Sequence, residues 1–327
     1  MARRWIRLCA VFFLVGLSAS RITLVLHELA GHGGAAALLG GRLVGFRLFL
    51  FGGGWVRYRW SGEYGPVASM TVSLAGIGLE IAAAAIALAV AAYLARAGRG
   101  ALARVALVGF ATADLLHAGF YLAAGTHHGF GDGRGLHEAL GDARGAIVWP
   151  TVAALLVAGF FLARHLARLT AEWTGARTGR GRAAALVAAA AIAALAHGGL
   201  TWSERALTRD ATYSRIMASE SERRVERDMA RLAAEARGRL DERALAEARA
   251  ELARKHREFP LVPVLAALLA LACAAGVWRG IRRSAGRVPA ESASACESGT
   301  PSWRAIAPLG AITLAALGLV AVLRLFE

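Results

Sequence analysis

Residues 22–41 read ITLVLHELAGHGGAAALLGG. The run is apolar enough to lie in lipid, yet it carries His27, Glu28 and His32 within six residues. A polar group in hydrocarbon is costly, so ionisable side chains inside such a run are candidates for function. The pattern is close to His-Glu-x-x-His. In that helix, histidines at i and i+4 bind zinc and the glutamate takes a proton from water. Here Leu29, Ala30 and Gly31 intervene, so the second histidine stands at i+5. On a regular α-helix the two rings would then point about 140° apart instead of about 40°, and both could not reach one ion. A single π-type turn restores the alignment by adding one residue to the turn. Gly31 sits where a glycine's tolerance of unusual backbone angles makes that distortion easiest. This reading expects a local π-turn, with His27 and His32 as metal ligands and Glu28 as general base.

The surroundings decide what kind of helix this is. The 327-residue chain is 57% hydrophobic, and its apolar residues gather into runs near the roughly 20 needed to cross a bilayer. Candidate spans are Leu8–Leu39, Ser69–Leu94, Ala101–Ala124, Ala146–Leu166, Ala183–Leu200, Leu261–Val277 and Ala305–Leu323. The expected fold is an all-α integral membrane protein with about seven transmembrane helices. The start, MARRWIRLCAVFFLVGLSAS, also fits a signal peptide. An uncleaved first helix is preferred because the apolar run resumes at Ile22, after only Ser20 and Arg21.

The formal charge of +15 suggests nucleic acid at first sight. The arginines argue otherwise, because they collect in short loops. One cluster is Arg3, Arg4 and Arg7, and a second is Arg96, Arg99 and Arg104. The others are Arg164, Arg168, Arg177, Arg180 and Arg182, then Arg279, Arg282, Arg283 and Arg287. With seven spans all four clusters fall on one side, as cytoplasmic loops require. No nucleic-acid partner is expected, and the lipid bilayer is. Lys255 is the only lysine beside many arginines and alanines, which suggests a GC-rich bacterial genome. The expected location is the bacterial inner (plasma) membrane. Cys9, Cys273 and Cys296 show no paired spacing.

Between the first two spans, RLVGFRLFLF and WVRYRW flank Gly52-Gly53-Gly54, which predicts a small β-hairpin at the membrane surface. Residues 204–258 alternate acid and base, with Val225, Met229, Leu232, Leu240, Leu245 and Leu252 near a helical stripe. They predict a long amphipathic helix or helical hairpin outside the bilayer, inserted between spans: a solvated stalk, or a module for a protein partner. The chain thus divides into a core over 1–140, two further transmembrane helices over 141–203, the charged module over 204–258, and two C-terminal transmembrane helices with a polar loop over 259–327.

A third metal ligand is sought after the third span, in THHGFGDGRGLHEAL. Asp132 lies between Gly131 and Gly133, and two helices separate it from His32, so both emerge on the same side. His127 or His128 could take its place. Asp114 and His117 form an i,i+3 pair, expected to bond to each other or to orient a ligand. His137 and His165 read as loop residues, and His197 lies near a span end.

At this point the chain resembles the site-2 protease family of intramembrane zinc metalloproteases. HELAGHGGAAALLGGRLVGFRLFLFGG is similar to that family's first core helix and following strands. SLAGIGLEIAAAA (73–85) resembles its second core helix, with Ile77 where proline is usual. GDGRGL (131–136) resembles its Asp-Gly motif. The resemblance spans roughly residues 20–140. It implies Zn2+ held by His27, His32 and Asp132, Glu28 as catalytic base, and a membrane-embedded protein as substrate. The family's Asn-x-x-Pro-x-Pro stretch is absent. The arginine pattern puts the site toward the outer face, whereas the family's lies nearer the cytoplasm; a doubled first segment (Leu8–Ala19 plus Ile22–Leu39) would reverse this. The alternatives are a catalytically inactive scaffold that binds transmembrane partners and, behind it, a transporter.

Overall fold

The computed structural model describes residues 2–62, 65–236, 241–284 and 300–327. Most of the polar loop expected between the two C-terminal helices, including Arg287 and Cys296, lies outside the described residues, as does Leu240.

The first span is one uninterrupted helical rod made of α1 (Ala2–Val25), a π-helical stretch (Leu26–Gly33) and α2 (Gly34–Leu38). No doubled segment is present there, so His27 and His32 lie toward the end of the rod away from Arg3, Arg4 and Arg7. An antiparallel hairpin follows, β1 (Gly41–Leu48) and β2 (Gly54–Trp60), with Gly41 opposite Trp60, Leu48 opposite Gly54 and an irregularity between Leu43 and Gly45. Then come α3 (Pro66–Arg96), α4 (Ala101–His128), the short α5 (Gly133–Leu140), α6 (Gly145–Thr170) and α7 (Gly179–Thr208). The module holds α8 (Ala211–Met217), α9 (Glu220–Ala236) and α10 (Glu242–Lys255), and α11 (Leu261–Ser284) and α12 (Trp303–Leu323) complete the chain. Among the described residues seven helical stretches are long and apolar enough to cross a membrane.

α1 is the central column. Its Leu8, Val11 and Val15 pack with Val105 of α4, Ala167 of α6, Leu186 of α7, Ile281 of α11 and Ile306 of α12. Helices that face lipid gain little from the hydrophobic effect, so close van der Waals packing at small residues has to hold them. α6 and α11 show this: a side chain on Gly276 would collide with the Phe160 carbonyl, and one on Gly280 would fall 2.6 Å from the Arg164 carbonyl oxygen.

The two ends of the bundle differ. At one end Arg7 donates to the carbonyls of Thr300 and Pro301 (3.3 and 3.1 Å), near the turns that carry the arginine clusters. At the other end the hairpin tip is held from both sides. Glu204 of α7 accepts from the backbone N–H groups of Leu50, Phe51 and Gly52 (2.7, 2.6 and 2.9 Å). Buried Arg21 of α1 donates to the carbonyls of Phe49 and Gly52 (2.6 and 2.7 Å). These are charge-assisted bonds to backbone groups that form no ladder bonds with one another. The hairpin tip is therefore a fixed wall of the bundle end.

One boundary shifts here. The module begins five residues later than read from charge alternation, because α7 runs on to Thr208 and its last turns, Thr201 and Glu204 included, serve the hairpin. Within the module, α9 and α10 pack as a pair, joined by Arg249–Glu226 and by His256–Asp228 at 2.8 Å.

Candidate metal centre

Backbone geometry first makes the two histidines neighbours. The Gly34 N–H donates to the Leu29 carbonyl five residues back, which is the π pattern, and it turns His27 and His32 to the same face. Their Nε2 atoms lie 3.0 Å apart. Gly31 has a different job from the one expected. Its φ is not positive, and its value lies in close approach. A Cβ there would stand 2.6 Å from Gly76 Cα of α3, and a Cβ on Gly76 would stand 2.7 Å from the His27 ring. The glycine pair lets α3 come close enough for the ring to lie on its backbone.

Asp132 arrives by a second glycine device. Gly129 and Gly131 have φ of +70 and +51, left-handed values that glycine adopts without strain. A Cβ on Gly133 would collide with the Gly125 backbone. The chain thus folds back onto the last turn of α4 and presents Asp132 to the π-helical stretch. Its Oδ2 lies 2.9 Å from His27 Nε2 and its Oδ1 3.1 Å from His32 Nε2. Burial pushes the Asp132 carboxyl up, but His32 and His27 outweigh it and hold it well below the usual carboxylate range.

The outer partners fix which nitrogen is free. His32 Nδ1 donates to the Val72 carbonyl oxygen (2.6 Å), which can only accept. His27 Nδ1 donates to Glu80 Oε1 (2.8 Å). In neutral rings both Nε2 atoms then present lone pairs to each other and to a carboxylate. Although His27 Nε2 is 2.9 Å from Asp132 Oδ2, no donor is aligned with that buried oxygen. Such a cluster needs positive charge among its members, either a proton shared by the rings and the carboxylate or a metal ion. Metal–nitrogen bonds of about 2.0–2.1 Å at tetrahedral angles put donor atoms about 3.3 Å apart. The ligand atoms of His27, His32 and Asp132 all fall within 4.8 Å of one another, so the three residues fit a metal ion with a position left open. No protein-family model matches this chain. No curated protein and no solved structure matches it either. The reading of the centre stands on its own geometry.

Glu28 is buried beside the same centre, and Gly54 admits its side chain: a Cβ there would stand 3.3 Å from Glu28 Cγ. Its carboxylate accepts no hydrogen bond among the described residues. Tyr121 of α4 stands edge-on to His27 with ring centroids 6.2 Å apart.

Other expected roles are redistributed. Asp114 and His117 do not bond each other: Thr23 donates to Asp114 Oδ1 (2.6 Å), while His117 donates to Glu80 Oε2 (3.2 Å). His127 and His128 turn away from the centre to the Phe259 carbonyl (3.2 Å) and Glu258 (3.0 Å). His137 lies in α5, buried against the Thr126 and His127 carbonyls (3.0 and 3.1 Å), and His165 lies within α6; neither is in a loop. Glu80 was missed, although it is the only acidic residue in the 31-residue α3. That isolation was itself the signal.

Proposed function

We propose that this chain is an intramembrane zinc metallopeptidase that cleaves a peptide bond in or near a transmembrane segment of another protein. The observation that carries the proposal is the convergence of two histidine Nε2 atoms and an aspartate carboxylate, all within 4.8 Å of one another, with an unbonded glutamate beside them, on helices apolar enough to lie in a bilayer. The same combination supports the resemblance to the site-2 protease family. His27, His32 and Asp132 would hold the ion. A bound zinc supplies Lewis-acid polarisation and an acidic water. The chain's own groups do the rest. Glu28, with no hydrogen bond to restrain it, takes a proton from water at the centre and returns it to the leaving amine. Glu80 and the Val72 carbonyl hold the two rings in the tautomer that leaves Nε2 free. A helical substrate hides its carbonyls in its own hydrogen bonds, so it must unwind locally, and the fixed hairpin offers an edge along which an extended segment can pair. With the arginine clusters at the opposite end of the bundle, the centre faces the outer side of the membrane.

The test is metal per chain in detergent-purified protein, with His32→Ala alongside. About one zinc in the wild type and less than a tenth of that in the variant is expected. A folded wild type without metal would sink the proposal and leave the scaffold reading, in which the cluster is a protonated polar network joining α1, α3 and the α4–α5 loop.

A further inference from the structure

The segment that leads out of α7 is bonded both to the hairpin and to the glycine loop that carries Asp132. At one end Asp210 accepts from Arg47 of β1 (2.8 Å). The Tyr213 ring meets Phe49 edge-on with centroids 5.2 Å apart, and its hydroxyl occupies the space a side chain on Gly53 would need. At the other end the Gly131 N–H donates to the Ile216 carbonyl (3.0 Å), and Arg223 donates to the Gly129 carbonyl (2.7 Å). Between these anchors the Tyr121 hydroxyl donates to the Met217 sulfur at 3.8 Å, and Tyr121 is the residue that stands against His27.

One wall of the mouth is the hairpin tip that shelters Glu28; the other is the glycine loop that carries Asp132. A single stretch of 14 residues, 210–223, is bonded to both. Its anchors are two arginine contacts, one backbone bond and a few ring contacts. Segments held by so few bonds near the surface open well below the cost of global unfolding. The stretch runs directly into α9, whose partner α10 returns to the bundle at Glu258 and Phe259.

We propose that Asp210–Arg223 is a strap closed over the metal centre, and that it must lift before a peptide segment can reach Glu28 and Asp132. The need for a peptide to enter rests on the metallopeptidase reading; the strap's cover over His27 and His32 does not.

The test separates the two. A Cβ on Gly129 would lie 3.3 Å from Glu220 Cβ, close to the spacing a disulfide spans, so G129C/E220C in a chain with C9S, C273S and C296S locks the strap on oxidation. In that background the thiol introduced by H32C is labelled with a water-soluble maleimide. The oxidised lock is expected to slow labelling at least tenfold relative to the H32C chain without G129C and E220C, which carries the same single free thiol. Releasing the anchors with D210A/R223A is expected to speed labelling several-fold. Equal rates in all three would overturn the strap. If the locked chain does not fold, an unchanged rate in D210A/R223A overturns it alone. The second readout keeps His32 and follows cleavage of a model transmembrane peptide. The oxidised lock should lose at least tenfold in rate, and dithiothreitol should restore it. Slowed labelling with unchanged cleavage would overturn the proposal, because substrate would then enter elsewhere. Slowed labelling in a chain whose wild type neither binds zinc nor cleaves would uphold the strap and remove the metallopeptidase reading.

Discussion

The contact between the π-helical stretch and α3 and the contact between α6 and α11 are both made by glycines, and they end in different things. At Gly276 and Gly280 the absent side chains let backbone meet backbone, at Phe160 and Arg164. At Gly31 and Gly76 the same device leaves just enough room for one imidazole ring, and that ring is tied by Glu80 on one side and faces Asp132 on the other. Small residues give close approach in either place. A site arises only where the approach brings polar groups whose remaining valences point at one another.

Substitution at the two contacts should separate them most clearly. Gly76→Val drives a side chain into the His27 ring, so metal per chain is expected to fall below a tenth of wild type, with stability lowered by about 1–3 kcal/mol through overpacking. Gly276→Val should lose a similar amount of stability in detergent unfolding and keep its metal. If Gly276→Val lost metal as well, the distinction between packing contact and site contact would fail.

A finer cut is Glu80→Gln, which keeps size and weakens the grip on His27 Nδ1. Zinc affinity, measured by competition with a chelator, is expected to drop about 10–100-fold. The polar contact between Ser18 of α1 and Thr313 of α12 (2.7 Å) supplies the control. Thr313→Val should leave zinc affinity unchanged and cost only about 0.6 kcal/mol of stability.

The smallest effect lies outside the bundle, in the module. Burial pushes the Glu220 carboxyl up, but Arg227, Arg224 and Arg223 outweigh it and hold it at about 2, against an ordinary value of 4.5. A carboxyl lowered on folding contributes stability above its unfolded value and loses it as pH falls toward the folded one. The junction of strap and α9 should therefore keep its anchoring above about pH 4.5 and lose it progressively down to about pH 2. Pepsin cleavage near residues 217–227, compared with Glu220→Gln, tests this. The variant should be cut faster than wild type at pH 4.5, and the two should converge near pH 2. A constant ratio across that range would show that the three arginines do not set the junction's acid response.

Much of the architecture was legible because bilayer-length apolar runs and arginine-rich turns are written directly in composition. The hairpin was legible from aromatic and branched runs around Gly52-Gly53-Gly54. The i+5 spacing of His27 and His32 allowed only one local geometry in which both rings meet. Counting helices put Asp132, His127 and His128 alike at the same end as His32, which fixes the end of the bundle but not the neighbour. Side-chain pairing was less legible. Asp114 and His117 lie one turn apart on α4, yet each answers to a different helix, Thr23 of α1 and Glu80 of α3. Arg21 reads as an interruption of an apolar run; its partners, the hairpin carbonyls, lie 28 and 31 residues on.

The sequence by itself determined the seven long apolar helices and the hairpin, because hydrophobic length and turn chemistry are local properties. Only the tertiary structure decided that Glu80 bonds His27, that Gly31 serves close approach, that His127 and His128 turn away, and that residues 210–223 join the hairpin to the glycine loop. Each of these depends on which distant backbone comes within a few ångströms, and that is set by packing the whole bundle at once.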